Sequence, residues 1–326
     1  MAVYTRIEDD DLRDFVTGFD IGAVLSCVGI AQGIENSNFL LTTEAGKFIL
    51  TLYEKRVRPG DLPFYLGLMG HLAGREFPCP VPVAGRDGGN LHTLSGRPAA
   101  IVTFLDGHSP RESDITAAHC RDVGTAVARL HLAAADFLPA RPNDLSVAAW
   151  RPLYEPLSAK ADDLRTGFGD WIGDELTFLE QNWPAGRPTG LPTGIVHTDM
   201  FPDNVFFRDG ALSGVIDFYF ACTDMLAIDL AVCLNAWCFR DGTQFHPERS
   251  KALLDGYEAV RPLDDAECAS LPVLARGMAM RFLLTRLHDW FHTPEDAVAR
   301  RKDPLDLVPL IEFHRSVSDS TLYGVG

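Results

Sequence analysis

The sequence predicts an α+β fold of two lobes, a small β-rich lobe over residues 1–105 and a larger, mostly α-helical lobe over 106–326. With 326 residues, 46% of them hydrophobic and 23% charged, the chain is long enough to bury a core of that size. Short apolar runs broken by glycine occupy 22–53, and a strongly apolar run covers 97–105, as is typical of strands. From residue 115 onward, apolar residues recur with the helical period instead.

The first lobe opens with a predicted helix at 8–19, whose acidic first turn suits the helix dipole. Three strands are expected next, at 23–25, 38–41 and 48–53. A second helix is predicted at 61–72, with Asp61 as its N-cap and Pro63 in its first turn.

The turn between the first two strands carries candidate phosphate-binding groups. Gly33 would let backbone N–H groups lie over a triphosphate, with Ser37 and Asn38 as further donors. Lys47, which starts the third strand, is a candidate to hold phosphates, although a lysine beside a turn is commonly solvated. A glycine in a hairpin turn is usually only a turn, so this interpretation depends on phosphate chemistry elsewhere in the chain.

The segment 106–110 ends the last strand of the first lobe and is predicted to be a hinge. A purine base can lie against such a segment and hydrogen-bond with its backbone, here near Thr103 and Phe104.

The second lobe is predicted to be mostly helical. Its expected helices lie at 116–135, 145–165, 170–183, 247–259, 264–290 and 304–316. His131 falls in the first of them and is expected to be a core histidine with a satisfied hydrogen bond. Asp229 opens a further helix and is expected to cap it; the alternative is that its carboxylate supports the reactive loop from behind.

One stretch, 194–218, combines polar residues whose spacing indicates a reaction. Asp199 and Asn204 are five residues apart on a proline-containing loop, so both can face one cleft. Asp209-Gly210 then separates two apolar runs, which predicts a hairpin that returns Asp217 to the neighbourhood of Asn204.

This arrangement suits phosphoryl transfer. Magnesium prefers oxygen and takes few protein ligands in phosphate chemistry, so Asn204 and Asp217 are the candidate metal ligands. Asp199 would then accept a hydroxyl proton. A lone Asp or Asn in a loop is usually a turn residue or a cap, but three of them around one hairpin favour catalysis. His197 is expected to pack and hydrogen-bond the loop backbone rather than handle protons.

Composition limits the partners and the compartment. A net charge of −16 argues against nucleic acid, since phosphate backbones attract basic surfaces. The first fifteen residues are acidic and lack the apolar core of a targeting peptide, and the sequence contains no apolar run long enough for a membrane span. We therefore expect a soluble, cytoplasmic protein. Its seven cysteines form no C-x-x-C pair, which argues against a disulfide framework or a zinc site.

The pattern His-x-Asp-x-x-x-x-Asn at 197–204, followed by Ile-Asp-Phe at 216–218 and Asp-Leu-Ala at 229–231, resembles the aminoglycoside phosphotransferase and choline kinase group of protein-kinase-like enzymes. The segments at 29–55, 62–73, 104–110 and 197–207 resemble most closely the kinase-like homoserine kinases of bacteria within that group.

The resemblance implies the bilobal protein-kinase-like fold and transfer of the γ-phosphoryl group of ATP to the side-chain hydroxyl of L-homoserine, on the route to threonine. It implies Asp199 as the base and Asn204 and Asp217 as the Mg²⁺ ligands. The sequence departs from the wider kinase pattern at Thr51, where that pattern has a strand lysine for the phosphates.

Homoserine is a zwitterion, so its carboxylate needs a cation and its ammonium group needs oxygen acceptors. Arg281 and Arg286 are the candidates for the carboxylate, and Tyr219 for the border of the pocket, although arginines on a helix are often salt-bridged. Two alternatives stay open. One is a kinase for choline, an aminoglycoside or methylthioribose, since an acidic protein suits a polycationic acceptor; the other is a kinase-like nucleotide-binding module without catalysis.

Overall fold

The computed structural model describes residues 5–30, 36–54, 57–184, 190–293 and 301–325. Its first lobe is built on an antiparallel sheet of five strands in the order β1-β2-β3-β5-β4. The strands are β1 Val24–Gly29, β2 Ser37–Thr43, β3 Gly46–Leu52, β4 His92–Leu94 and β5 Arg97–Thr103.

Alternation of side chains gives this sheet its two faces. Every second residue of β2 is buried, as expected for a strand with one face on a core. Helix α1 (Asp9–Val16) contributes Leu12 and Val16 to the core on one side of the sheet, together with Leu41 and Leu50. Helix α2 (Leu62–Gly74) belongs to the larger core, which continues into the second lobe.

The second lobe is mostly helical, as predicted. Its helices are α3 Ala117–Ala133, α4 Val147–Tyr154, α5 Ser158–Ala161, α6 Phe168–Asn182, α7 Ala227–Trp237, α8 Pro247–Glu258, α9 Asp265–His292 and α10 Val308–Ser316. The single helix expected at 145–165 is divided into α4, a 3-10 turn and α5, because Pro156 lies in that turn and cannot donate to a continuing helix. None of the helices in the described ranges has the length and apolar character needed to span a bilayer.

Two glycines allow α3 and α8 to approach closely. A Cβ atom on Gly124 would lie 1.9 Å from the carbonyl oxygen of Leu253, and one on Gly256 would lie 2.1 Å from that of Arg121. Any larger residue at either position would therefore separate the two helices.

Three short two-stranded ribbons complete the second lobe. They pair β6 (Thr193–Val196) with β9 (Cys222–Met225), β7 (Val205–Arg208) with β8 (Ala211–Val215), and β10 (Phe239–Arg240) with β11 (Gln244–Phe245). The first two ribbons carry the predicted reactive stretch.

Asp61 does not cap helix α2 with its side chain, although the sequence predicted that it would. It occupies the N-cap position of α2, but its side chain makes no capping hydrogen bond. The carboxylate instead accepts a hydrogen bond of 2.9 Å from Nε of Arg141, in the second lobe. The ion pair with the arginine competes successfully with the helix N-terminus because it joins two full charges.

Candidate active site

The predicted hairpin is present and fixes the relation between Asn204 and Asp217. Strands β7 and β8 are joined through Asp209 and Gly210, both with positive φ (54° and 81°), as a two-residue primed turn requires. Beyond the ribbon, the N–H of Ile216 donates to the carbonyl of Asn204 over 2.9 Å. Asp217 therefore follows directly after the residue that pairs with Asn204.

Asn204 also orients Asp199. Its amide nitrogen donates to the backbone carbonyl of Asp199 over 2.8 Å and to the Oδ2 atom of the same residue over 3.0 Å. Both bonds use the nitrogen, and the amide oxygen is the atom of this side chain that can bind a cation. One side chain is thus suited to fix the carboxylate and bind a metal ion.

The loop between β6 and β7 has an unusual backbone at Thr198, whose φ is 63°. A β-branched residue in the left-handed region is strained by about 1–3 kcal/mol, so neighbouring contacts must hold it there. Thr198 donates its N–H to Oδ1 of Asp229 over 2.7 Å, and its carbonyl accepts from Nη1 of Arg281 over 2.7 Å.

Asp229 supports this loop, and the expectation that it caps a helix is wrong. The N-cap of α7 is Leu226, so Asp229 already lies in the first turn, with its side chain directed to the loop. The fully buried carboxylate accepts from the N–H groups of His197 (2.8 Å) and Thr198 (2.7 Å) and is bonded to His131 (3.0 Å). Burial by itself would raise the pKa of Asp229, but these hydrogen bonds and the nearby histidines hold it below the ordinary value.

The two histidines have the structural roles expected of them. An ionised carboxylate only accepts, so Nε2 of His131 donates to Asp229 while Nδ1 accepts from the hydroxyl of Tyr257 over 2.9 Å. Nε2 of His197 donates to the carbonyl of Ile216 over 3.0 Å, and Nδ1 accepts from the N–H of Asp199. Burial lowers the pKa of His197, which keeps the ring neutral.

A cavity of about 240 Å³ lies between the five-stranded sheet and the hairpin. Thr103 and Phe104, at the hinge, line one part of it, and Asp217 lines another. Asn38 and Thr51 on the sheet also face it. We refer to it as the hinge cavity; its position suits a nucleotide between hinge and metal ligand.

A second cavity, of about 500 Å³, also has Tyr219 in its wall. Asp199 and Arg281 line it, and Tyr219 borders both cavities. We refer to it as the Asp199 cavity. The candidate base thus lines one cavity and the candidate metal ligand Asp217 lines the other, and the two cavities share one aromatic residue.

The Asp199 cavity is lined by charges of both signs. Its positively charged residues are Arg58, Arg141 and Arg281, and its carboxylates besides Asp199 are Asp61, Asp144 and Asp289. Arg281 is the most buried of the cations, with its guanidinium 4.5 Å from the ring centre of Phe282. Burial lowers the pKa of Arg281, while the charge of Asp199 acts in the opposite direction.

The sequence model of the phosphotransferase enzyme family matches residues 26–263, the range that contains all of the sheet except the start of β1, the hinge, the hairpin and the loop of Asp199. The chain belongs to the phosphotransferase enzyme family.

Relatives of this phosphotransferase extend over its whole length. It is 58% identical to a protein named homoserine kinase from Rhodospirillum rubrum, over all of this chain and 99% of the relative. It is 55% identical, with the same coverage, to a homoserine kinase from Xanthobacter autotrophicus. The resemblance inferred from the four sequence segments is thereby confirmed.

Solved structures agree on the fold. An amicoumacin kinase in complex with AMP-PNP and Ca²⁺ superposes with a TM-score of 0.69 at 15% identity, over 97% of this chain and 93% of that one. A spectinomycin phosphotransferase in complex with ADP superposes with a TM-score of 0.67 at 11% identity, over 98% of this chain and 99% of that one. At this identity the likeness concerns the fold, and it confirms the predicted protein-kinase-like α+β architecture.

The structure brings most of the predicted site residues of the phosphotransferase to one cleft. Asn38, Thr103, Phe104, Asp217 and Tyr219 line the hinge cavity, and Asp199, Tyr219 and Arg281 line the Asp199 cavity. Gly33 lies outside the described residues.

Four of the predicted residues that the structure describes line neither cavity. Asn204 is one of them, and it contacts Asp199 through its amide nitrogen. Ser37 points to the opposite face of β2 from Asn38, and its hydroxyl donates to Glu54 over 2.7 Å. Lys47 is exposed at the outer end of β3, with Nζ 5.5 Å from the ring centre of Phe104. Arg286 turns away from the Asp199 cavity and donates to the carbonyl of Asp303.

Sequence reasoning missed Arg141 and Arg58. Neither lies in a recognisable motif, and the segment that carries Arg141 reaches the cavity only by pairing with β9, where Thr223 donates to the Arg141 carbonyl over 2.6 Å. Arg141 also lies 5.4 Å from the ring centre of Tyr65. A pairing between residues so distant in sequence leaves no local signal.

The oxygen donors of Asn204 and Asp217 fit a hard divalent cation that completes its shell with phosphate oxygens and water. In the described parts of the chain, no group of three or more His, Cys, Asp and Glu side chains is arranged to hold a metal.

Proposed function

We propose that this protein phosphorylates the side-chain hydroxyl of L-homoserine with ATP, a step on the route to threonine. The relatives named homoserine kinase, alike over the whole chain, support this substrate. The observation that carries the choice of acceptor is the mixed charge of the Asp199 cavity, where three arginines and four carboxylates surround one space.

Mixed charge suits a zwitterion. An amino-acid carboxylate pairs with a guanidinium, and its ammonium group pairs with carboxylates, so a free amino acid finds both partners here. Choline and aminoglycosides carry positive charge without a carboxylate, so they have no group that pairs with the guanidinium of Arg281. The acidic net charge by itself left that alternative open.

Within this proposal, Asp199 accepts the hydroxyl proton of the acceptor. As that proton leaves, the acceptor oxygen forms a bond to the γ-phosphorus and the bond from that phosphorus to the bridging oxygen breaks, which gives ADP and a phosphate ester. Asn204 keeps the carboxylate oriented through the 3.0 Å bond to Oδ2. Arg281 holds the loop and is the candidate for the acceptor carboxylate.

Asn204 and Asp217 are the residues that would hold Mg²⁺ in this proposal. Bound there, the ion would neutralise charge on the β- and γ-phosphates. The nucleotide is assigned to the hinge cavity, with its purine near Thr103 and Phe104. Residues 1–105 and 106–326 form the two lobes, and the nucleotide lies between them.

A screen of ATP consumption with L-homoserine, choline and kanamycin tests the proposal, with phosphorus NMR to identify the product. Turnover of homoserine to its O-phosphate ester is the expected result. Turnover of choline or kanamycin without turnover of homoserine would show that the proposed acceptor is wrong. Nucleotide binding without transfer to any acceptor would favour the non-catalytic module.

As an enzyme of amino-acid synthesis that consumes ATP, the protein is assigned to the cytoplasm. Cell fractionation that recovered it from membranes or from the medium would contradict this assignment.

A further inference from the structure

The hinge cavity offers few charges for a nucleotide that carries several. Of the described residues that line it, none is Lys, Arg or His. Polyphosphate chains are usually bound by such cations, together with backbone N–H groups. On the sheet, the side chains that line this cavity and can donate hydrogen bonds are those of Asn38, Thr51 and Thr103; that of Asn36 lies just before β2.

Asn38 and Thr51 form a cross-strand pair. They are directly opposite each other in the β2–β3 register, and both face the cavity. The Thr51 hydroxyl donates to Oδ1 of Asn38 over 2.8 Å. Because this bond occupies the amide oxygen, it fixes which way the carboxamide points and leaves its NH₂ group as the donor to a ligand.

Tyr219, from the second lobe, lines the same cavity as the pair. Thr51 is buried, with 3% of its surface exposed. The Tyr219 hydroxyl is 3.1 Å from that of Tyr53. Tyr219 is two residues beyond Asp217, so this bond joins the end of β3 to the segment that carries the candidate metal ligand.

The pair lies at the level along β3 where the phosphate chain of a nucleotide bound at the hinge is expected. Phe48 of β3 pairs with Thr103 at the hinge, and Thr51 is three residues further along. Three strand residues span roughly 10 Å. A purine bound at the hinge would therefore have its phosphate chain, and not its base, at the level of Asn38 and Thr51.

We propose that the Asn38 carboxamide, oriented by the Thr51 hydroxyl, is an uncharged hydrogen-bond donor to the phosphate chain of the nucleotide. This inference rests on the proposed ATP-dependent function. It assigns Asn38 as a phosphate-binding residue and Thr51, at the position where the wider kinase pattern has a lysine, as the residue that positions it.

Equilibrium binding of ATP, ADP and adenosine to the full chain tests the assignment without reference to turnover. Asn38→Asp keeps the size of the side chain and the acceptor for Thr51 but replaces the donor by a negative charge. A hydrogen bond to a charged group is lost, so we expect ATP and ADP to bind about 10- to 100-fold more weakly, with adenosine changed less than about 2-fold.

Thr51→Val removes only the orienting hydroxyl, and we expect a loss of ATP affinity of about 3- to 10-fold, which Thr51→Ser restores. Wild-type affinity for ATP in the Asn38→Asp variant would overturn the proposal. So would equal losses for ATP and adenosine, since these would indicate a contact with the nucleoside or a structural role. If the wild-type chain binds ATP but does not phosphorylate homoserine, the proposed function fails while this inference is still tested.

Discussion

Replacing Asp229 by Asn should damage catalysis more than it damages the fold. The fully buried carboxylate accepts three hydrogen bonds, two from the backbone N–H groups of His197 and Thr198 and one from His131. An amide has one acceptor oxygen, so in either orientation its NH₂ group faces at least one backbone N–H. Each buried donor left without an acceptor costs about 1–3 kcal/mol, and we expect the free energy of unfolding to fall by about 2–4 kcal/mol.

The catalytic effect follows from Thr198. Its φ of 63° is held by these bonds, so the loop that carries Asp199 should relax when one of them is lost. A displacement of about 1 Å at the reacting groups can cost about 100-fold in rate. We therefore expect kcat for homoserine to fall about 100-fold, with KM for ATP changed less than about 3-fold, because the hinge cavity is not touched.

Initial rates at saturating ATP, combined with urea unfolding, separate the two effects. A domain with about 5–15 kcal/mol of stability stays folded after this loss, so unfolded protein does not account for the lower rate. Asp224→Asn is the matched control: that carboxylate also accepts from a side chain, Asn143 (2.7 Å), and a backbone N–H, that of Met225 (2.7 Å), but does not hold the loop. Wild-type kcat in Asp229→Asn, or an equal fall in Asp224→Asn, would refute the reasoning.

The effect of Asp229→Asn on stability should depend on pH. The pKa of Asp229 is lowered in the folded state, so its stabilising contribution is present above the ordinary carboxyl pKa and is lost as the pH falls through the folded value. The difference in unfolding free energy between wild type and Asp229→Asn should therefore be full at neutral pH and shrink below about pH 4. A difference that stays constant through this range would show that Asp229 is not a stabilising anion.

Three further substitutions test the assigned roles. Asp199→Asn should lower kcat about 1,000-fold with the ATP dissociation constant nearly unchanged, since it removes the proton acceptor only; near-normal turnover would remove the assignment of the base. Asp217→Asn should lower kcat and raise the Mg²⁺ concentration needed for half-maximal rate about 10-fold or more, measured by magnesium titration, and an unchanged titration would exclude it as a ligand. Arg281→Met should raise KM for homoserine about 10-fold or more and lower kcat, because Arg281 lines the Asp199 cavity. Arg286→Met should change KM less than about 2-fold, because Arg286 faces Asp303 instead. Equal effects of the two substitutions would place the acceptor elsewhere.

Local patterns predicted most of the fold and the centre of the site. The hairpin was predictable because Asp-Gly between two apolar runs strongly favours a turn with positive φ, and a hairpin returns the chain beside itself. Helical and strand periods are likewise properties of consecutive residues, so the β-rich first lobe and the helical second lobe followed from them.

Other assignments failed where two local interpretations competed. Asp229 fits a helix cap by its position in the sequence, but the N–H groups that it binds belong to residues 31 and 32 positions earlier. Ser37 and Asn38 are equally plausible donors in sequence, and only the pleat of β2 decides that Asn38 faces the cavity.

By itself, the sequence determined the β-rich first lobe, most helices of the second lobe and the predicted group of Asp199, Asn204 and Asp217, because short-range spacing and turn chemistry are encoded in neighbouring residues. Only the tertiary structure decided which charges surround the Asp199 cavity and which arginine faces it. Arg58, Arg141 and Arg281 come from three distant segments, and their convergence depends on how helices and strands pack, which no short stretch of sequence specifies.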